Sequence, residues 1–336
     1  MFDLGLMLTL LPPTNRVTMN TRKPLAIEAR GLRKAYGDNI VLDGIDIAVP
    51  EGSIYSLLGP NGAGKTTTVK ILSTLARADA GEAFVNGADL HRDSDGVRKS
   101  IGVTGQFAAV DQLLNGTENL HLMGRLHHLG KAETKRRAAE LLERLDITDI
   151  AKRLPSTYSG GQNRRLDIAM SLMGSPRVIF LDEPTTGLDP RSRRVMWEII
   201  RELVSGGTTI FLTTQYLEEA DELADRIAVL DGGKIVAEGT AAELKRLIPG
   251  GHISLQLLRI DQLEKAANLL GATAHDTEQL TIQVPGDGSV ASLRSLIDLL
   301  DHESIEVGEL TVHKPDLDDV FLTLTGQARP QKETRR

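Results

Sequence analysis

One short stretch, Gly59-Pro60-Asn61-Gly62-Ala63-Gly64-Lys65-Thr66, limits what this chain can fold into more than any other. It matches the spacing G-x-x-x-x-G-K-[ST] and follows a short apolar run, Ser53 to Leu58. After it, from Lys65 to Ala76, Val69, Leu72 and Ala76 recur at helical spacing. Strand, glycine-rich loop and helix in that order predict an anion cradle, because glycines let successive backbone N–H groups converge and the helix start adds partial positive charge. Phosphate is the expected guest. In such a loop Lys65 neutralises β- and γ-phosphates, the Thr66 hydroxyl completes an octahedral Mg²⁺ shell, and Thr67 extends the nucleotide-binding stretch.

A second feature fits the first. Val178-Ile179-Phe180-Leu181-Asp182-Glu183 sets two carboxylates directly after an apolar run, at the carboxyl edge where α/β sheets present their ligands. Beside a phosphate loop, the pair divides into Asp182 held through water to Mg²⁺ and Glu183 as the base acting on the attacking water. The plainer reading is a helix cap ahead of Pro184.

With 336 residues, 40% hydrophobic and 25% charged, the chain has ordinary globular composition and room for one large domain and one small one. It has no cysteine, so thiolate metal clusters and disulfides are excluded and a reducing cytoplasm fits. A net charge of −7 offers no broad attraction to a nucleic-acid backbone, which argues against nucleic acid as a partner. Leu4 to Leu11 is too short to span a bilayer and lacks a secretory n-region. Residues 1–24 are therefore expected to be a disordered leader, with Met19 a second candidate start, and residues 328–336 a disordered tail.

Between these ends, residues 25–248 alternate apolar runs and amphipathic stretches in α/β order. Val178 to Leu181 and Thr209 to Leu212 read as strands covered on both faces in a mixed, mostly parallel sheet. A helical insert over about 107–175 is expected from Ala138, Leu141, Leu142 and Leu145 on one helical face. Asp231-Gly232-Gly233 reads as a hairpin turn and Thr240 to Glu243 as a capping box. Residues 251–327 are expected to form a small α+β domain, with strands near 253–257, 280–284 and 305–313 separated by helices.

Tyr158-Ser159-Gly160-Gly161-Gln162, at the start of a helix with Leu166, Ala169, Met170 and Met173 on one face, resembles the signature sequence of the ABC ATPases. With the earlier motifs the resemblance covers about residues 25–245 and implies the P-loop NTPase fold of ABC ATPases, ATP hydrolysis with Mg²⁺, and a partner of the same kind. It implies that Tyr36 stacks on adenine, that Gln106 senses Mg²⁺ and faces a membrane subunit, and that Asp189 lies in the loop crossing the dimer interface. It further implies that Ser159, Gly160, Gly161 and Gln162 close on the γ-phosphate held by a second copy, so two ATP molecules are sandwiched between two chains.

Thr213-Thr214-Gln215-Tyr216-Leu217-Glu218-Glu219-Ala220-Asp221 matches the family's switch region, except that most members carry histidine where Gln215 stands. Glutamine still donates a hydrogen bond to the γ-phosphate but does not become a cation near neutral pH, so altered hydrolysis is expected. That substitution and the ending Pro315-Asp316-Leu317-Asp318-Asp319-Val320-Phe321 resemble the daunorubicin-resistance type of ATPase. Such proteins pair with a separate integral membrane permease on the cytoplasmic face of the membrane to export drugs or lipids. Two other classes remain: a soluble ABC ATPase working on nucleic acid or ribosomes, and a regulatory nucleotide-binding module in which Gln215 has cost hydrolysis. His121, His127 and His128 have no partners at metal-ligand spacing, and Lys135-Arg136-Arg137 reads as a solvated helix face.

Overall fold

A computed structural model describes residues 24–105, 109–247, 251–286, 289–313 and 316–325. In chain order the first part comprises β1 (Leu25–Tyr36), β2 (Asn39–Pro50), β3 (Ile54–Leu58), α1 (Lys65–Leu72), β4 (Ala80–Val85), β5 (Ala88–Asp89), α2 (Ser94–Ser100) and β6 (Ile101–Thr104). Three helices follow, α3 (Gly116–Leu126), α4 (Lys131–Arg144) and α5 (Gly160–Leu172). Then come β7 (Val178–Asp182), α6 (Pro190–Ser205), β8 (Thr209–Thr214), α7 (Leu217–Leu223), β9 (Arg226–Asp231), β10 (Lys234–Gly239) and α8 (Ala241–Lys245). The last part holds β11 (His252–Leu257), α9 (Leu263–Leu270), β12 (Ala274–Asp276), β13 (Thr281–Pro285), α10 (Val290–His302), β14 (Val307–His313) and α11 (Leu317–Thr325).

The sheet that carries the site has the order β10-β9-β3-β8-β7-β6. Its pairs are parallel from β9 to β6, and only the β9–β10 hairpin is antiparallel. Every residue of β3, β7 and β8 is buried, as expected of strands covered on both faces, and this is why they read as unbroken apolar runs. The mixed sheet and the hairpin at Gly232-Gly233 agree with the sequence. So does the capping box, in which Thr240 Oγ1 accepts from the Glu243 N–H and Glu243 returns the bond to the Thr240 N–H.

Two features differ from the sequence reading. α1 stops at Leu72 rather than running to Ala76, because Thr74 adopts a left-handed φ of 64° that a helix does not accommodate. A second sheet, β2-β1-β4-β5, also went unread. Its long strands β1 and β2 shift register at several points, so inward positions do not keep a strict period of two. A core of Ile27, Leu32, Leu42, Val49, Tyr55 and Phe180 joins this sheet to the main one.

Helices α3, α4 and α5 pack together through Leu120, Leu141, Leu142 and Leu166 in the helical insert. Beyond residue 250, the sheet β12-β13-β11-β14 packs with α9 and α10 around Leu255, Ile282, Leu296 and Leu300. The last helix does not join that core. Leu317 and Val320 of α11 instead pack with Leu58, Ala220, Ile227, Val229 and Leu244, behind the strand that leads into the glycine-rich loop. Truncating Leu58, Leu244 or Leu317 to alanine there is expected to cost about 2–5 kcal/mol, the usual cost for a buried leucine.

Candidate functional site

The glycine-rich loop takes its shape from close approaches. A Cβ on Gly59 would lie 2.3 Å from the Leu230 carbonyl oxygen, and Gly64 combines a φ of 112° with a would-be Cβ 2.7 Å from the Val41 carbonyl oxygen. No side chain fits at either position without moving backbone. Gly64 caps α1 without a side-chain acceptor, and no acidic residue occupies the first turn, so the N–H groups of that turn stay available and the helix start stays positive.

Lys65 folds back over this loop, 4% exposed, with Nζ donating to the carbonyls of Gly59 (2.7 Å) and Pro60 (3.0 Å) and lying 3.4 Å from Glu183 Oε1. Burial pushes its pKa below the usual lysine range, and the Glu183 and Asp182 carboxylates oppose that shift. A cleft of about 410 Å³ lies here, lined by Asn61, Gly62, Gly64, Lys65, Thr66, Thr67 and Glu183 on one side and by Tyr36, Asn39 and Val41 on the other. Gly59 and Ala63 are buried beneath it. Tyr36 ends β1 on the rim, 52% exposed, with the Lys34 ammonium 5.2 Å from its ring centroid.

The two carboxylates leave β7 in different environments. Asp182 is 3% exposed, and its Oδ1 accepts from the Thr213 hydroxyl at 2.5 Å. Glu183 stands at φ 50°, a left-handed conformation costly for any residue other than glycine, and its N–H is pinned at 3.1 Å by both the carbonyl and the hydroxyl of Thr213. The Thr186 hydroxyl donates to Glu183 Oε2 at 3.2 Å. The reading of these carboxylates as a helix cap fails, because the cap of α6 is Asp189: its carboxylate accepts from the Arg191 and Ser192 N–H groups and from the Ser192 hydroxyl.

Ser159 caps α5 through a capping box with Gln162, whose N–H donates to the serine hydroxyl at 3.2 Å and whose side chain accepts from the Ser159 N–H at 2.8 Å. The serine O–H proton and the N–H groups of Gly160 and Gly161 remain available as donors at a helix N-terminus. A side chain at Gly161 would be tight, since a Cβ would lie 3.0 Å from Ser192 Oγ. This end forms its own cleft of about 370 Å³ with Asp146, Arg165 and Arg191, and no residue of it also lines the P-loop cleft. One chain thus brings Tyr36, the loop, Lys65 and Glu183 together but leaves Ser159 to Gln162 apart.

Gln215 follows β8 directly and is half-buried, and Gln106 falls outside the described residues. Both flanks of that segment are tied down by a buried pair the sequence reading missed. Arg164 donates to the carbonyls of Gly105 (2.6 Å), Asp182 (2.9 Å) and Pro184 (3.1 Å), while Asp167, 3.3 Å from the guanidinium, accepts from the Ala109 N–H. Burial pushes the Asp167 carboxyl up to about 6 and pushes Arg164 below the usual arginine range, and the charge of each partner resists the other's shift. The signal was opposite charges three residues apart on a helix whose other buried positions are mostly apolar. Thr213, which joins the ends of β7 and β8, was equally unread as a site residue.

The family model for ABC transporters matches residues 42–186. The daunorubicin resistance ATP-binding protein DrrA3 of Streptomyces coeruleorubidus is 50% identical over 310 residues, covering 92% of this chain and 98% of that protein. The daunorubicin/doxorubicin resistance ATP-binding protein DrrA of Streptomyces peucetius is 47% identical over 321 residues, covering 94% and 97%. Among solved structures, a dimeric post-hydrolysis ATP-binding cassette bound to ADP and phosphate matches with a TM-score of 0.58 and 26% identity, over 64% of this chain and 98% of that one. A glycine loop closed by buried lysine and carboxylates, a signature cap on a separate face, and near-complete coverage by such relatives lead to one conclusion: the chain belongs to the ABC transporter family as an ATP-hydrolysing subunit, in the branch of the daunorubicin-resistance ATP-binding proteins.

Proposed function

We propose that two copies of this chain clasp two molecules of Mg-ATP and drive a separate integral membrane permease that exports a drug or lipid. The separation of the two clefts supports the pairing. Among the described residues the P-loop cleft and the Ser159–Gln162 cleft share no lining residue, in keeping with a phosphate held by one copy meeting a serine-led helix end on another. The structural relative noted above is itself a dimer holding ADP and phosphate. No helix among the described residues is long and apolar enough to cross a membrane, so attachment at the cytoplasmic face falls to the permease in this reading.

Within each site, Lys65 donates to the β- and γ-phosphates, the α1 N–H groups hold the same oxygens, and Tyr36 stacks on the base. Thr66, which lines the cleft, and Asp182, anchored by Thr213 and acting through water, would supply the hard oxygen donors that magnesium takes. The ion supplies charge neutralisation on the phosphates when bound. Glu183 accepts a proton from the attacking water, and Gln215 donates its amide N–H to the γ-phosphate. Gln106 fits the role of contact with the permease. Replacing Glu183 by Gln is expected to leave ATP binding intact and lower turnover by roughly 10² to 10⁴ fold, the usual worth of a positioned base. Near-normal turnover in that variant removes Glu183 from the role.

A further inference from the structure

One buried carboxyl close to the site has no part in that scheme. Glu219 lies on α7 and is 0% exposed. Its Oε1 accepts from the Thr185 hydroxyl at 2.8 Å and from the Trp197 indole N–H at 3.2 Å, while Oε2 is shielded from solvent without a hydrogen-bond partner. A buried carboxyl, even with hydroxyl and indole donors and the Arg193 guanidinium charge acting on it, is an expensive choice when an aliphatic side chain of similar size would pack there. Its neighbours explain what that choice achieves.

Thr185 sits two residues after Glu183, in the turn that follows the left-handed backbone at Glu183. Trp197 belongs to α6, the helix capped by Asp189. Glu219 itself lies four residues after Gln215, on the helix that Gln215 leads into. Arg193 of α6 holds the same switch from its other side, with its guanidinium 5.0 Å from the Tyr216 ring centroid and 3.6 Å from Glu218 Oε2. One carboxyl oxygen thus ties the segment bearing Glu183, the helix capped by Asp189 and the helix after Gln215.

We propose that Glu219 is a positioning residue for ATP hydrolysis, fixing the distance between the backbone that carries Glu183 and the segment that carries Gln215. The inference rests on the roles given above to Glu183 and Gln215. A shift of about 1 Å in either segment would displace base from water or amide from phosphate, a scale of misplacement that costs up to about 100-fold in rate.

The test uses the full-length protein and measures kcat and KM for Mg-ATP, together with the thermal midpoint, for Glu219→Leu, Glu219→Gln, Thr185→Val and Glu183→Gln. Glu219→Leu and Thr185→Val are expected to lower kcat by about tenfold or more while KM stays within about twofold, because the nucleotide cradle is untouched. Glu219→Gln, whose amide oxygen replaces Oε1, is expected to restore kcat to within about threefold of wild type. Should Glu219→Leu fail to fold, Thr185→Val, which removes one hydroxyl at constant volume, carries the same expectation. Wild-type kcat in Thr185→Val, or losses that follow the thermal midpoint with KM and kcat moving together, overturns the inference. If Glu183→Gln is inactive while Glu219→Leu and Thr185→Val turn over normally, the Glu219 inference alone falls; if Glu183→Gln is active, the assignment of the base falls.

Discussion

The ammonium of Lys65 lies 3.4 Å from Oε1 of Glu183, with the two side chains 4% and 8% exposed. One face of the P-loop cleft therefore holds a cation and a carboxylate in direct electrostatic contact, and both residues line the cleft. Lys65→Met removes the cation and leaves Glu183 buried without it. The expected result is a fall of about 10 to 100 fold in ATP affinity, the worth of one charge-assisted hydrogen bond, read by titration with a fluorescent ATP analogue. Unchanged affinity would remove Lys65 from phosphate binding.

The loop glycines are not equivalent. Gly64 has φ 112° and a would-be Cβ 2.7 Å from the Val41 carbonyl oxygen and 2.8 Å from a Leu42 methyl, whereas Gly62 has φ 82° and nothing within 4 Å. Gly64→Ala is expected to lower stability by at least about 2 kcal/mol and Gly62→Ala by about 1 kcal/mol, since only the first adds a backbone clash to left-handed strain. Chemical denaturation of both variants measures the difference. Equal costs would contradict the account.

Tyr36 stands 52% exposed on the rim of the cleft, with the Lys34 ammonium over its ring. Tyr36→Ala is expected to weaken ATP binding by about 1–3 kcal/mol, as loss of one base–aromatic stack does, while Tyr36→Phe binds as wild type. Calorimetry with ATP and with inorganic triphosphate separates base from phosphate. Only the ATP affinity is expected to drop.

Asp167 gives the fold a pH signature. Its carboxyl, raised by burial to about 6 from an ordinary 3.8, binds a proton in the native chain across a range where the unfolded chain has already lost it. Because the folded state holds more protons between about pH 4 and 6, the contribution of this group to stability is present below that window and declines as pH rises through it, by up to about 3 kcal/mol. Asp167→Asn, which keeps an acceptor for the Ala109 N–H, is expected to abolish that decline. Denaturation midpoints at pH 4, 5, 6 and 7 for wild type and variant provide the check, and parallel curves would contradict it.

Much of this site was legible because its chemistry is local in the chain. The loop Gly59–Thr66, the pair Asp182-Glu183 and the cap Ser159–Gln162 each announce an anion or metal task within a few residues, and each lies on the strand end or helix start expected of it. What stayed hidden is assembled across the fold. Thr213 binds Asp182 from a neighbouring strand, Arg164 reaches three carbonyls on two separate segments, and Glu219 meets Thr185 in a turn and Trp197 on another helix. None of these contacts has a sequence period. The antiparallel sheet was obscured for a related reason, since bulges in β1 and β2 break the alternation that marks a strand. The packing of α11 against Leu58 and Val229 was likewise beyond reach, because its apolar stripe of Leu317 and Val320 says only that something covers it.

The claim on which the rest depends is that nucleotide joins two copies, P-loop to signature. Its most direct test is the molar mass of Glu183→Gln in solution, by light scattering on a sizing column, with and without Mg-ATP. The account predicts a monomer without nucleotide and a dimer with it, and a monomer under both conditions once Ser159→Arg is added to block the signature cleft. A Glu183→Gln protein that binds Mg-ATP at saturation and stays monomeric would contradict it.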